Sequence, residues 1–73
     1  MTRDELKKIA EEALEVSIEF IDVETTLYPK EFYIYTGCWT ITEEQLNKIR
    51  SKVRITEVTV DGGQIMLTVK ADY

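Results

Sequence analysis

The sequence predicts an α+β fold, a two-layer sandwich with the order α-β-β-α-β-β in which two helices lie on one face of a four-stranded antiparallel sheet. Two segments begin with the same helix-capping pattern, at Thr2 and at Thr42. Each is followed by segments rich in β-branched and aromatic residues, which favour strands. The last two strands are joined by Gly62-Gly63, which suits a tight hairpin turn. We expect residues 1–73 to form one domain.

The first helix is predicted by a capping box and an apolar stripe. The Thr2 hydroxyl can accept a hydrogen bond from the backbone of Glu5, and the Glu5 carboxylate can accept one from the backbone of Thr2. The stripe at helical spacing consists of Leu6, Ile9, Ala10, Ala13 and Leu14. Because β-branched residues become dense from Val16 onwards, we place the change from helix to strand near Val16.

From Val16 onwards, the first strand is expected to point successive side chains to opposite faces of the sheet. Val16, Ile18 and Phe20 would share one face of the sheet. A β-bulge near Phe20 would then return the following apolar residues to the core. A turn is predicted at 27–30, because Pro29 cannot donate a hydrogen bond to a sheet ladder.

The second strand, predicted at 31–36, has two different faces. Phe32 and Ile34 point towards the helices, and Tyr33 and Tyr35 point the other way, because successive side chains of a strand alternate. The two tyrosines are therefore expected on the face of the sheet that lies away from the helices.

The second half of the chain repeats this order of elements. Thr42 and Gln45 form a second capping box, and a thin apolar stripe predicts a short helix that ends near Ser51. Strands are predicted at 53–60 and 65–71, on either side of the glycine-rich turn.

The composition excludes several kinds of chemistry. The chain has no His and a single Cys, Cys38. One chain therefore cannot form an internal disulfide, a zinc site built from His and Cys, or a His-dependent nucleophilic site. No apolar run approaches the roughly 20 residues of a membrane span, and no export signal precedes the first helix. We expect a cytoplasmic protein with no catalytic activity, no cofactor and no metal.

The net charge of −5 comes entirely from residues 1–24. The charged candidates for partner binding are Glu11, Glu15, Glu19, Asp22 and Glu24. The three glutamates fall at i, i+4 and i+8 if the first helix continues, and the last two acids share one face of a strand. Such a surface repels nucleic acid and attracts basic proteins. The alternative interpretation is a solvated acidic face that contributes solubility.

The aromatic candidates for partner binding are Tyr33 and Tyr35, with Met66 of the last strand on the same face. Aromatic residues and Met are enriched at the centres of protein interfaces. Simple cross-strand packing is the alternative. Aromatic residues on a sheet can also stack on RNA bases, but that role needs a basic surround, which this acidic chain does not offer.

Together these patterns predict a small acidic protein-binding module whose partner is a protein with a basic surface, with no direct binding of nucleic acid or membrane. A sharper form is an inhibitor that occupies the basic, nucleic-acid-binding surface of its partner, as small phage and mobile-element proteins do; this rests on an analogy of size and charge. The alternative is a structural or homo-oligomeric domain, natural or designed, that forms a homodimer through the aromatic face and has no catalytic activity.

Overall fold

The computed structural model describes residues 1–24, 26 and 30–71. In chain order the elements are α1 (Arg3–Leu14), β1 (Phe20–Glu24), β2 (Lys30–Tyr35), α2 (Glu43–Arg50), β3 (Arg54–Asp61) and β4 (Gln64–Ala71). The strands form one antiparallel sheet in the spatial order β1-β2-β4-β3. The predicted α+β class, with two helices and a four-stranded antiparallel sheet, is confirmed. Three residues of the turn predicted at 27–30 lie outside the described residues.

Both helices begin with the predicted capping boxes. The Thr2 hydroxyl accepts from the Glu5 N–H at 3.1 Å, and the Glu5 carboxylate accepts from the Thr2 N–H at 3.0 Å. Thr42 and Gln45 make the same pair of bonds at 3.1 and 2.9 Å. These bonds satisfy backbone N–H groups that would otherwise have no partner inside the helix, and so they fix where each helix starts.

The end of α1 differs from the prediction. The helix stops at Leu14 because Glu15 adopts a left-handed conformation, with φ of 58°. The predicted strand from Val16 is wrong, since β1 begins only at Phe20. The intervening connector is held by the Glu11 carboxylate, which accepts from the Ile18 N–H at 2.8 Å, and Ile18 itself is buried. Tertiary packing of one side chain therefore outweighs the local preference for a strand.

The predicted bulge near Phe20 is also wrong. β1 pairs with β2 without interruption, from Phe20 opposite Tyr35 to Glu24 opposite Glu31. Because the strand starts at Phe20 and not at Val16, alternation buries Ile21 and half-buries Val23 without an extra residue, and it leaves Phe20 on the other face. The irregularity in this sheet lies in β3 instead, between Ile55 and Glu57.

The core joins alternate residues of the sheet to both helices. Among the described residues, the buried hydrophobic cluster consists of Leu6, Ala10, Ala13, Leu14, Ile18, Ile21, Phe32, Ile34, Ile49, Val53, Leu67 and Val69. The sheet members of this cluster lie opposite one another in the strand register: Ile34 pairs with Leu67, and Phe32 pairs with Val69. In the described part of the chain, neither helix is long and apolar enough to cross a membrane.

The turn between β3 and β4 has the predicted chemistry. Asp61 pairs with Gln64, so Gly62 and Gly63 form a two-residue loop. Both glycines have positive φ, 61° and 80°, which other residues adopt only with strain. A Cβ atom on Gly63 would make only an ordinary contact, at 3.4 Å, with the Trp39 ring. Glycine is therefore favoured here by backbone conformation.

Candidate binding surface on the sheet

The sheet face opposite the core residues, which we name the outer face, is organised in three rows that run across β1, β2, β4 and β3. Side chains of directly paired residues lie on the same face of an antiparallel sheet, so the strand register defines the rows. The charged row is Glu24, Glu31, Lys70 and Arg54. The polar row is Asp22, Tyr33, Thr68 and Glu57. The apolar row is Phe20, Tyr35, Met66 and Thr59.

The charged row changes sign at its middle. Its β1–β2 half carries the carboxylates of Glu24 and Glu31, and its β4–β3 half carries the cations of Lys70 and Arg54. Lys70 Nζ forms an ion pair with Glu31 Oε2 at 2.8 Å, and the Tyr33 hydroxyl donates to Glu31 Oε1 at 2.8 Å. The hydrogen bond from Lys70, followed by that from Tyr33, lowers the pKa of the Glu31 carboxyl below its ordinary value of 4.5.

These contacts predict a pH dependence of folding stability that Glu31→Gln removes. A folded-state pKa below the unfolded value means that the stabilisation is complete above about pH 4.5 and is lost as the pH falls through the lower folded value. Urea unfolding at several pH values should therefore show the stability difference between wild type and Glu31→Gln shrinking below pH 4.5. Hydrogen bonds also lower the pKa values of Glu5 and Glu24. Wild type and Glu31→Gln share these two groups, so their contributions cancel in the stability difference. A constant difference from neutral to acidic pH would contradict this prediction.

The polar row surrounds Tyr33 with negative charge. The hydrogen bond to Glu31 is the largest cause of the raised pKa of the Tyr33 phenol, followed by burial and by repulsion from the charges of Glu31, Glu24 and Asp22. In the same row Thr68 is 5% exposed, and its hydroxyl has no hydrogen-bond partner among the described residues. The middle of the outer face is therefore acidic on the β1–β2 side. It also contains the Thr68 hydroxyl, which has no hydrogen-bond partner among the described residues.

The apolar row is the most exposed hydrophobic part of the outer face. The Phe20 and Tyr35 rings lie 5.4 Å apart between centroids, tilted by 34°, which is a favourable aromatic pair. Phe20 is nevertheless 56% exposed, while Tyr35 and Met66 are half-buried. A groove of about 490 Å³ continues from this pair, past Val16 and towards Gln64. An exposed aromatic ring beside a groove is typical of a surface that binds another molecule.

The outer face brings together five of the predicted binding residues. They are Asp22, Glu24, Tyr33, Tyr35 and Met66. The other three do not form a helical row, because α1 ends before Glu15. Glu15 caps the helix, Glu11 binds the backbone of Ile18, and Glu19 lines the groove beside Phe20.

Seven of the twelve residues in these rows are not among the binding residues predicted from the sequence: Phe20, Glu31, Arg54, Glu57, Thr59, Thr68 and Lys70. Phe20 differs from the prediction because β1 begins at Phe20 itself and not at Val16, so it does not share a strand face with Val16 and Ile18.

Alternation along the β3–β4 hairpin is enough to place Glu57 and Thr59 on the face of Met66. Arg54 reaches the outer face only because the register shifts between Ile55 and Glu57, since uninterrupted alternation would place it on the other face.

Other chemistry-bearing residues lie away from the outer face. Lys48 and Arg50 occupy the last turn of α2, where cations complement the negative end of the helix dipole. Cys38 is a free, half-buried thiol that donates to the Thr36 carbonyl at 3.5 Å. Within the residues that the structure describes, no three metal-ligating side chains come together.

Known proteins provide no parallel for this arrangement. No family model, no curated protein and no solved structure matches the chain. The function must therefore be argued from the residues of the outer face.

Proposed function

We propose that this chain is a protein-binding module in which α1 and α2 cover one face of the sheet and the outer face binds a protein partner with a basic surface. The observation that carries the proposal is the apolar row, in which an exposed Phe20 ring stands beside Tyr35 and Met66. A helix-covered inner face is supported by the shared core of helix residues and alternate strand residues, such as Leu6, Ile34 and Ile49.

The apolar row supplies the contact energy in this proposal. Aromatic rings and Met bury a large area with few rotatable bonds, so they form the energetically dominant centre of many interfaces. Phe20 exposes more than half of its surface, and covering it removes apolar area from water. Each Å² so covered contributes about 25 cal/mol before the entropic and desolvation costs of association are subtracted.

The carboxylates beside the apolar row supply the preference for a basic partner. Asp22, Glu24 and Glu57 lie on the outer face; Asp22 and Glu57 are exposed and Glu24 is half-buried. At such positions charge steers association more than it adds affinity. The net charge of −5 opposes the approach of a phosphate backbone. The partner we propose is therefore a basic protein, and the inhibitor form of the proposal is that the contacted basic surface is one that otherwise binds nucleic acid.

Affinity capture with matched charge variants tests the proposal. The outer-face variant carries Asp22→Asn, Glu24→Gln and Glu57→Gln, which remove three charges and keep the acceptor oxygens. The control variant removes three exposed helix carboxylates, with Glu12→Gln, Glu43→Gln and Glu44→Gln. Wild type and control should retain the same basic protein from lysate at about 50 mM salt and lose it at about 500 mM, while the outer-face variant should not retain it at either.

A second arm tests the apolar row. Phe20→Ser should fail to retain the captured protein even at about 50 mM salt. Val60→Ser, which removes a side chain that is 77% exposed on β3, should retain it there as wild type does. Circular dichroism confirms that each variant is folded. Capture that is equal for the outer-face and control variants, or no capture by wild type at either salt concentration, would refute the proposal.

A further inference from the structure

We propose that a second copy of this chain binds the outer face. The two copies pack face to face and are related by a two-fold axis parallel to the strands. This inference rests on the proposed function only in taking the outer face as the protein-binding surface. It adds the identity of one partner, the symmetry of the contact and the residue pairs that it creates.

The charged row is self-complementary under this symmetry. Rotation by 180° about an axis parallel to the strands places β1 over the partner's β3 and β2 over the partner's β4, and it keeps each row facing the same row. Glu24 then faces the partner's Arg54, and Glu31 faces the partner's Lys70. Each pairing occurs twice, so the interface contains four unlike-charge contacts between copies.

The other simple symmetry lacks this complementarity. A two-fold axis in the plane of the face but perpendicular to the strands places β1 over the partner's β1. The acidic half of one copy then meets the acidic half of the other, around Asp22 and Glu24. The change of sign along the charged row therefore selects the axis parallel to the strands, which is also compatible with the aligned packing of two sheets.

The apolar row forms the centre of the same interface. Tyr35 faces the partner's Met66, and the same contact is repeated by the symmetry. Contacts between a thioether and an aromatic ring are favourable. Phe20 faces the partner's Thr59, which covers the most exposed ring of the outer face.

The polar row contains one unfavourable pair, at the rim. Asp22 faces the partner's Glu57, and both side chains are exposed, so solvent and salt screen their repulsion. Its position offers a gain-of-function test, because Glu57→Lys converts this contact into an attractive one, twice per dimer.

The size of the outer face predicts a weak dimer. Four strands spaced by about 4.8 Å and about six residues of about 3.3 Å each span roughly 19 by 20 Å. Allowing for side-chain relief, such a face buries roughly 600–800 Å² per copy, at the lower end of standard interfaces. Association and side-chain ordering oppose much of the gain from so small a contact, so the dimer should dissociate on dilution and leave the outer face free for another protein.

Sedimentation equilibrium of the purified chain over a range of concentrations tests this inference. Arg54→Glu should weaken the dimer at least about tenfold, and Glu24→Arg combined with Arg54→Glu should restore it by reversing both members of the pair. Glu57→Lys should strengthen it. The matched control is Lys52→Glu, which makes the same change of charge as Arg54→Glu but lies beside Ile9 and Ala13 of α1.

The possible outcomes separate this inference from the proposed function. A monomer at every concentration at low salt would overturn the inference, as would a dimer weakened equally by Arg54→Glu and Lys52→Glu. If the chain is monomeric and affinity capture still depends on the outer face, the proposed function stands without a second copy. If the dimer responds as expected and no lysate protein is captured, the second copy remains the partner and the heterologous partner is refuted.

Discussion

Leu67→Ala is expected to lower the free energy of unfolding by about 2–5 kcal/mol. Leu67 is fully buried on β4, the strand that pairs with both β2 and β3. It lies between Ile34 and Val58 in the register, so its removal leaves a cavity at the centre of the sheet. The cost combines the lost burial of the side chain with the lost contacts of its neighbours.

A chain of 73 residues has little stability in reserve. A single core of this size supplies only about 3–5 kcal/mol of net stability, which is comparable with the loss expected for Leu67→Ala. A large fraction of the variant should therefore be unfolded at 25 °C. Urea or thermal unfolding followed by circular dichroism measures this loss directly.

The matched control for Leu67→Ala is Val60→Ala on the neighbouring strand. Val60 is 77% exposed, so its truncation should change the unfolding free energy by no more than about 0.5 kcal/mol. Equal stability of the two variants would mean that Leu67 does not lie in the core.

Local signals were sufficient to predict most of the elements. Each helix start is encoded within four residues, from Thr2 to Glu5 and from Thr42 to Gln45, and the structure contains both capping boxes. The hairpin between β3 and β4 is likewise encoded by adjacent residues, since Gly62-Gly63 supply the positive φ angles that its turn requires. These features depend on neighbours in the sequence, so no knowledge of the tertiary structure was needed.

The errors occur where distant contacts decide the conformation. Residues 15–19 alternate like a strand, but the left-handed Glu15 and the hydrogen bond from the Ile18 backbone to Glu11 make them a connector. The bulge in β3, between Ile55 and Glu57, has no Gly or Pro to mark it. Pairing of β3 with its neighbour reveals this irregularity, and the residues of β3 alone do not.

The candidate site was predictable only within each strand. Alternation along β2 is enough to group Tyr33 with Tyr35, but the rows of the outer face require the spatial order β1-β2-β4-β3. That order places Glu31 next to Lys70 and thus creates a charged row that changes sign. Because many strand orders are compatible with one set of alternating segments, this charge pattern could not be derived from the sequence.

Ile49→Ala is expected to lower the free energy of unfolding by about 2–5 kcal/mol and to weaken α2 selectively. Ile49 is the one buried residue of α2, and it is fully buried. A helix of 8 residues is too short to be stable by itself in water, so its packing against the core must maintain it. Loss of this anchor should let α2 open more readily than the sheet in the molecules that remain folded.

Hydrogen exchange distinguishes this local opening from global unfolding. In Ile49→Ala the amide protons of α2 should exchange faster than those of β4, whereas in Leu67→Ala protection should fall together in both elements. Lys48→Ala is the control within the same helix, since Lys48 is exposed and alanine has an equal or higher helix propensity. Unchanged protection of α2 in Ile49→Ala would show that the capping box and the half-buried Ile41 and Leu46 hold the helix without Ile49. The predicted result would instead establish that one side chain anchors α2 to the hydrophobic core.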